Sequence, residues 1–411
     1  MSSGAEVEPP LPVTLADVLA ARELLRGVLR ETPVQGSRPL SERVGGEVRL
    51  KCENLQRAGS FKIRGAYTRL ARLTPDEHRR GVVAASAGNH AQGVALAARL
   101  LGMKSTVFMP EGAPIPKVEA TKAYGAEVRF HGDTVDEALV AAKQFSDETG
   151  AVFVHPFDHR DIVAGQGTLG LEVLEQCPEV KTLLVCTGGG GLLAGVAVAV
   201  KALRPDVRVI GVQAELAAAY PASLAEGRPV PLASMATMAD GIAVGCPGEV
   251  PFEIIRRLVD DIVTVSEESL SRALLMCLER AKLVVEPAGA AAVAALMDDP
   301  EAFEPPVVAV LSGGNIDPLL LMRVLRHGLA VAGRFLSFRA RVPDSPGALV
   351  QLLAEVAAAD ASVLEVEHVR TDPRLSVDEV EIHLQLETRG AEHCDEVLAR
   401  LRHAGYTLVF D

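Results

Sequence analysis

Lys62 stands in the octapeptide Gly59-Ser60-Phe61-Lys62-Ile63-Arg64-Gly65-Ala66, which opens an amphipathic run reaching about Leu73. Ser60 is a candidate N-cap, because its hydroxyl oxygen can accept from the free N–H groups of a helix start. Lys62 then falls in the first helical turn, where the helix's partial positive charge disfavours a second cation. Burial would disfavour the charged form further. A neutral lysine amine is a nucleophile that forms a Schiff base with a carbonyl. The octapeptide alone suits a solvated helix-start lysine equally well, so its chemistry depends on what the rest of the chain brings to it.

Three other stretches share one pattern, an apolar strand, a polar glycine turn and a helix. Ser86-Ala87-Gly88-Asn89-His90-Ala91-Gln92-Gly93 follows the apolar run 82–85. A glycine turn at a helix N-terminus presents several N–H groups to an anion, and Asn89 adds an amide donor, so this loop suits capture of a carboxylate. It equally suits an ordinary turn in which Gly and Asn serve backbone geometry. Thr187-Gly188-Gly189-Gly190-Gly191-Leu192 follows the run 183–186. Its four glycines allow close backbone approach to a phosphate at the next helix. It lacks the glycine patterns of nucleotide hydrolases and Rossmann sites. Ser312-Gly313-Gly314-Asn315 follows the run 307–311. Glu286, in Val285-Glu286-Pro287-Ala288-Gly289, is a carboxylate in apolar surroundings, either a helix cap or a group facing a bound ring.

The elements that must position these residues alternate. Strands are predicted over 48–52, 82–85, 105–109 and 127–130, and helices over 91–101, 116–124 and 133–149, the signature of a parallel α/β domain. In such sheets ligands bind at the carboxyl ends of the strands, so Lys62 and the 86–93 loop should face one crevice. Upstream, Thr14 caps a predicted helix with Leu15, Val18, Leu19, Leu25 and Leu29 on one face. Downstream, helices are predicted over 161–176, 192–203 and 267–282, and strands over 207–213 and 261–265. Past Gly333 the pattern becomes strand 336–342, a helix to about 359, a hairpin of 362–370 and 378–387, helix 392–402 and strand 406–410. That order, βαββαβ, is ferredoxin-like.

The four motifs, in this order and spacing, resemble the fold-type II family of pyridoxal-phosphate enzymes, and most closely its threonine dehydratases (threonine ammonia-lyases), over about residues 13–332. The resemblance implies that Lys62 carries pyridoxal 5'-phosphate and acts as catalytic base, with Phe61 flanking the ring. It implies that Gly188, Gly189, Gly190, Gly191 and Leu192 hold the phosphate and that Ser312 meets the ring nitrogen. Asn89 would bond the phenolic oxygen, with Glu286 close by. Ser86, Ala87, Gly88, Asn89 and His90 would take the substrate carboxylate, His90 through its backbone more than its ring. A serine at the ring nitrogen shares a hydrogen bond without supplying a charge. The ring is then a weaker electron sink, which suits prompt loss of a β-hydroxyl. Serine racemases of the family place a serine where this chain has Ala87, and a methyl group cannot donate the second proton. Some relatives hold a divalent cation by a Glu and an Asp six residues apart. Glu215 matches the first, but Pro221 stands at the second, so no metal is expected.

In the tail, Asp344-Ser345-Pro346-Gly347-Ala348-Leu349 resembles the ligand loop of ACT domains, which pair and bind amino acids. An amino-acid effector at Asp344, Ser345, Gly347, Ala348 and Leu349 is one expectation, and a purely structural oligomerisation module is the other. The activity implied is conversion of L-threonine, and of L-serine, to 2-oxobutanoate or pyruvate and ammonia, in isoleucine biosynthesis. The competing readings are a racemase or β-replacement enzyme on the same cofactor, and a non-catalytic amino-acid sensor.

The totals bound the rest. At 411 residues the chain has room for two or three domains. The expected division is a disordered leader 1–12, a large α/β domain 13–50 with 151–332, a small α/β domain 51–150, and the ACT-like domain 336–411. A net charge of −13 argues against a nucleic-acid partner, which needs a basic face. The first twelve residues hold Glu6 and Glu8 and no apolar run, unlike a signal peptide. The most apolar stretch, 183–200, is broken by four glycines and reads as a buried strand-turn-helix, not a membrane span. The six cysteines form no Cys-x-x-Cys pair and fit a reduced, cytoplasmic protein. A homo-oligomer, a tetramer by family, is expected.

Overall fold

The computed structural model describes residues 9–370 and 375–410, so most of the expected leader lies outside the described residues. The chain forms two compact units, one reaching Pro318 and one starting at Leu319.

The first unit is built on two sheets. The larger runs in the order Val34–Gly36, Val48–Cys52, Val307–Leu311, Thr182–Cys186, Arg208–Ala214, Asp261–Val265. Only its first pair is antiparallel. The two central strands are buried at every residue. This is why they read as unbroken apolar runs, since a parallel sheet covered on both faces has no polar side. The smaller sheet runs Glu127–Phe130, Ser105–Met109, Val82–Ala85, Val152–Phe153, all parallel. Every glycine motif therefore leaves the carboxyl end of a strand, where α/β ligands bind.

The helix Arg160–Gln176 is the hub between Gly191–Leu203 and Lys62–Ala71. Small residues let the three backbones touch. A Cβ on Gly165 would stand 2.5 Å from the Arg64 carbonyl oxygen, and one on Gly195 would stand 2.3 Å from that of Val163. Charge locks the same junction. The Arg64 guanidinium is fully buried and meets both oxygens of Glu53 (2.7 and 2.8 Å), Glu172 (2.7 Å) and the Thr168 hydroxyl (3.0 Å). Buried Lys51 adds a bond to Glu172 at 2.7 Å and one to Gln176 at 2.8 Å.

Local expectations differ from the structure in three places. The helix Lys62–Ala71 takes Phe61 as its N-cap residue, and the buried Ser60 hydroxyl has no hydrogen-bond partner among the described residues. Ser60 instead bridges Gly313 as extended backbone, so tertiary pairing overrides local capping. The helix capped by Thr14 ends at Leu25, with Val18, Ala21 and Leu25 buried and Leu19 exposed. The helix expected over 267–282 is α-helical over Glu267–Met276 and then widens to a π-turn over Cys277–Ala281.

The second unit holds the helix Pro318–Val331 from Leu319 on, and an antiparallel sheet in the order Ser362–Val369, Glu379–Glu387, Phe335–Pro343, Thr407–Val409. Phe338, Ala340, Val342, Ile382, Leu384 and Leu386 pack in its core with Leu352 and Val356 of the helix Ala348–Ala358 and Val397 and Leu401 of Ala391–His403. The order of elements is the βαββαβ read from the alternation. No helix among the described residues is long and apolar enough to cross a membrane.

Candidate active site

One cavity of about 1020 Å³ opens where the two sheets of the first unit present their carboxyl ends. Lys62, Ser86 to His90, Gly188 to Leu192, Glu286 and Ser312 all line it, with Phe61 beside them. The fold thus brings together every candidate site residue named in the first unit.

Lys62 enters from the start of its helix with its amine buried. Nζ donates to the Pro156 carbonyl at 3.1 Å and lies 5.2 Å from the Phe61 ring centre. No carboxylate forms an ion pair with it among the described residues. Burial pulls its pKa from the usual 10.5 down to about 8, against the opposing pull of Cys186 and Glu286. The amine is therefore neutral for a substantial fraction of the time just above neutral pH.

The 187–190 turn is pressed against the wall behind it. A Cβ on Gly189 would stand 2.4 Å from the Phe157 ring, and one on Gly190, at φ +95, 1.9 Å from Tyr220 Oη. Only glycine fits, and the backbone itself forms the cavity surface where the helix Gly191–Leu203 begins. Tyr220 also donates to the Gly189 carbonyl at 3.2 Å, and Gly248 N donates to the same oxygen at 3.1 Å. The open N–H groups of the first helical turn face this end.

Asn89 opens the helix Asn89–Leu101 and is held on both sides. Its Nδ2 donates to Glu286 Oε1 at 2.5 Å, and its Oδ1 accepts from Asn315 Nδ2 at 2.8 Å. Asn315 also donates to the carbonyl of Ala58, a residue in the left-handed region at φ 60. Glu286 occupies the N-cap position of Pro287–Asp298 but its side chain makes no capping bond. Glu286 thus lines the cavity and does not serve as the helix cap. Burial is the main reason its pKa rises from 4.5 to about 7, with Asp240 adding to the rise and Lys117, Asn89 and Lys62 opposing it.

Ser312 is buried, its carbonyl accepting from Phe61 N at 3.1 Å, and its hydroxyl lies beside the Cys186 thiol. Burial pushes that thiol up to about 11, so it stays protonated. His90 Nε2 lies 2.8 Å from the Val154 carbonyl, and burial with Lys62 nearby holds its pKa near 3. A neutral ring already committed to a carbonyl is no general base. The Ser86 hydroxyl accepts from Gly88 N at 3.1 Å and shapes the turn. Ala87 lines the cavity with its methyl group.

Sequence reasoning missed Cys186, Asn315, Lys117, Asp240, Phe157 and Tyr220 at this site. Cys186 adjoins a motif already singled out, and Asn315 ends another without having been given a role. The others carry no local signal and arrive only through the fold. In the second unit, the Asp344 carboxylate is held by Arg370 at 3.1 and 3.2 Å, and Gly347 at φ +94 caps the helix Ala348–Ala358.

Comparison with known proteins agrees with this geometry. The pyridoxal-phosphate dependent enzyme family matches residues 25–313. The chain belongs to this family. It is 46% identical over 394 residues to an L-threonine ammonia-lyase of Thermotoga maritima, covering 96% of this chain and 98% of that protein. It is 46% identical over 310 residues to the catabolic L-threonine dehydratase of Escherichia coli strain K12, covering 75% of this chain and 94% of that one. Among solved structures, maize serine racemase superposes with a TM-score of 0.73 at 35% identity, covering 78% of this chain and 98% of that chain.

The family's cofactor, pyridoxal phosphate, fits the residues present. It needs an amine for its aldehyde, an anion cradle for its phosphate and a hydrogen-bonding group for its ring nitrogen. The cavity offers the buried Lys62 amine without a carboxylate partner, a turn too tightly backed for any side chain, and the Ser312 hydroxyl.

Proposed function

We propose that the protein is a pyridoxal-phosphate-dependent ammonia-lyase acting on L-threonine, and secondarily on L-serine. The observation that carries this reading is Lys62, a buried amine with a lowered pKa and no ion-paired carboxylate among the described residues, in one cavity with both glycine turns. The bound cofactor supplies an electron sink for negative charge at the substrate's Cα. Lys62 would hold its aldehyde carbon in the resting enzyme, Gly188 to Leu192 its phosphate, Ser312 its ring nitrogen and Asn89 its phenolic oxygen. When free of the cofactor, neutral Lys62 would remove the substrate's α-proton as general base. The N–H groups of the 86–90 segment orient the carboxylate. The α-proton and β-hydroxyl are lost as water, and water returns when the resulting imine hydrolyses. Threonine thus divides into 2-oxobutanoate and ammonia, and serine into pyruvate and ammonia, with no further reactant.

Ala87 supports elimination over racemisation, because its methyl group offers no proton to the opposite face of Cα. We read the second unit as an ACT-like regulatory domain that takes an amino-acid effector at the 344–349 loop, in a cytoplasmic homotetramer serving isoleucine biosynthesis.

The test is a spectrum with turnover. Purified protein should show the visible absorbance of bound cofactor and form 2-oxobutanoate from L-threonine, and Lys62→Ala should lose both. Cofactor absorbance without keto acid would move the reading to β-replacement. D-serine formed from L-serine would move it to racemisation. Absence of cofactor absorbance after pyridoxal phosphate is supplied would remove the catalytic reading.

A further inference from the structure

The cavity contains a second buried lysine that the chemistry above does not use. Lys117 lies in the first turn of the helix Ile115–Ala123, on the small-sheet side of the cavity. A cation there is opposed by the helix's own partial charge, and burial opposes it again. Two observations indicate what it faces. Built on Gly88, a Cβ would meet one heavy atom within 4 Å among the described residues, its chain neighbours aside, and that atom is Lys117 Nζ at 3.9 Å. The space beside Gly88, in the turn read above as the carboxylate site, is otherwise clear. The ammonium's carboxylate partner is Asp240, which comes from the opposite wall and is half-exposed.

Asp240 opens the short turn Asp240–Ile242, which also walls the other parts of the site. A Cβ on Gly241 would stand 3.5 Å from Glu286 Oε1, and one on Gly188 would stand 3.0 Å from Ile242 Cα. The Lys117–Asp240 pair therefore spans the cavity above the carboxylate turn.

We propose that Lys117 is a substrate-binding residue whose ammonium pairs with the substrate's α-carboxylate, and that Asp240 holds it in place until the carboxylate displaces it. Backbone N–H groups alone favour an anion weakly and without regard to its source. A buried ammonium adds a charge-assisted bond that an uncharged carboxyl derivative cannot make. Asp240 offers the ammonium a carboxylate that remains solvated, so exchange for an incoming carboxylate costs little. This inference rests on the amino-acid reading of the cavity. It adds the recognition of the carboxylate's charge by a side chain.

The test uses the cofactor-loaded enzyme and two ligands without a β-leaving group, L-alanine and L-alaninamide. Their dissociation constants are read from the change in the bound cofactor's absorbance. In wild type L-alanine should bind more tightly than the amide. Lys117→Met should weaken L-alanine by about tenfold to a hundredfold, the worth of one charge-assisted hydrogen bond, while leaving the amide within about threefold. KM for L-threonine should rise with it and kcat should change less. Asp240→Asn removes the competing carboxylate, so L-alanine should bind as tightly as in wild type or more tightly. Equal weakening of alanine and alaninamide in Lys117→Met would make the lysine purely structural and overturn the proposal. So would a loss of alanine affinity in Asp240→Asn matching that of Lys117→Met. If Lys117→Met does not load cofactor, Asp240→Asn decides alone, with alanine binding equal or tighter supporting the proposal and a loss of about tenfold or more overturning it. Failure of wild type to consume threonine would overturn the lyase reading, and the alanine-to-alaninamide ratio would still judge Lys117.

Discussion

Glu286 and Lys62 occupy the same cavity with their pKa values moved toward each other, and each shift has a measurable consequence. An unfolded chain releases the Glu286 proton near pH 4.5, whereas the folded protein keeps it to about pH 7. The folded state is thus favoured below pH 4.5, and that advantage is lost as pH rises to about 7. Glu286→Gln keeps an acceptor for Asn89 and removes the titration. In urea unfolding of the apoprotein, the variant should gain stability relative to wild type between pH 5 and pH 8, by about 3 kcal/mol at most. A gap that does not change with pH would place the carboxylate in a more solvated setting. For Lys62 the neutral amine is the reacting form. The rate at which apoprotein recombines with pyridoxal phosphate should rise with pH around a midpoint near 8, and a midpoint above 10 would contradict the buried, unpaired amine. Lys62 and the glycine turns were legible in the sequence because each is a contiguous motif whose geometry is local. Lys117 and Asp240 were not, because 123 residues separate them and nothing in either neighbourhood foretells the other.

At the scale of elements, the helix that carries Lys62 is held by charge as well as by packing. Arg64 lies one half-turn from Lys62 and ties that helix to Glu53 at the end of the Val48–Cys52 strand and to Glu172 of Arg160–Gln176. Removing only the cation leaves buried Glu53 without its ion pair and Glu172 with Lys51 alone. Arg64→Met should cost about 3–5 kcal/mol in denaturant unfolding, and it should weaken cofactor binding by loosening the base of Lys62. Stability within 1 kcal/mol of wild type, on the order of a surface change, would show that Lys51 compensates. The network was invisible beforehand because nothing local to Arg64, Lys51, Glu53 or Glu172 foretells that they meet. Strand-turn-helix order was legible because apolar runs and glycine punctuation are local signals. The cap at Ser60 was misread for the converse reason. Its local pattern is sound, but the bridge to Gly313 holds Ser60 one residue ahead of the helix, and Phe61 takes the cap position.

For the whole molecule, the question is what the second unit adds. The Escherichia coli dehydratase matches 75% of this chain while contributing 94% of its own length, so about a quarter of this chain is unmatched there. Cavity, lysine and both glycine turns all lie before Pro318. A chain stopped after Ala332 should therefore still bind pyridoxal phosphate and consume threonine. Regulation is where the two forms should part. Asp344 is held at the loop by Arg370, and the helix start at Ala348 offers N–H groups to an α-carboxylate. If this loop binds an effector whose affinity differs between two states of the enzyme, reciprocity requires the substrate to feel it. L-isoleucine should raise KM for threonine in the full chain by about fivefold or more, the lower range of such coupling. The shortened chain should not respond, and Asp344→Ala in the full chain should respond less. Calorimetry on the full chain separates the outcomes, because an effector that binds without changing KM leaves the tail as a passive site. Binding of neither isoleucine nor valine would make it an assembly module, with its consequence in the oligomeric state of the shortened chain.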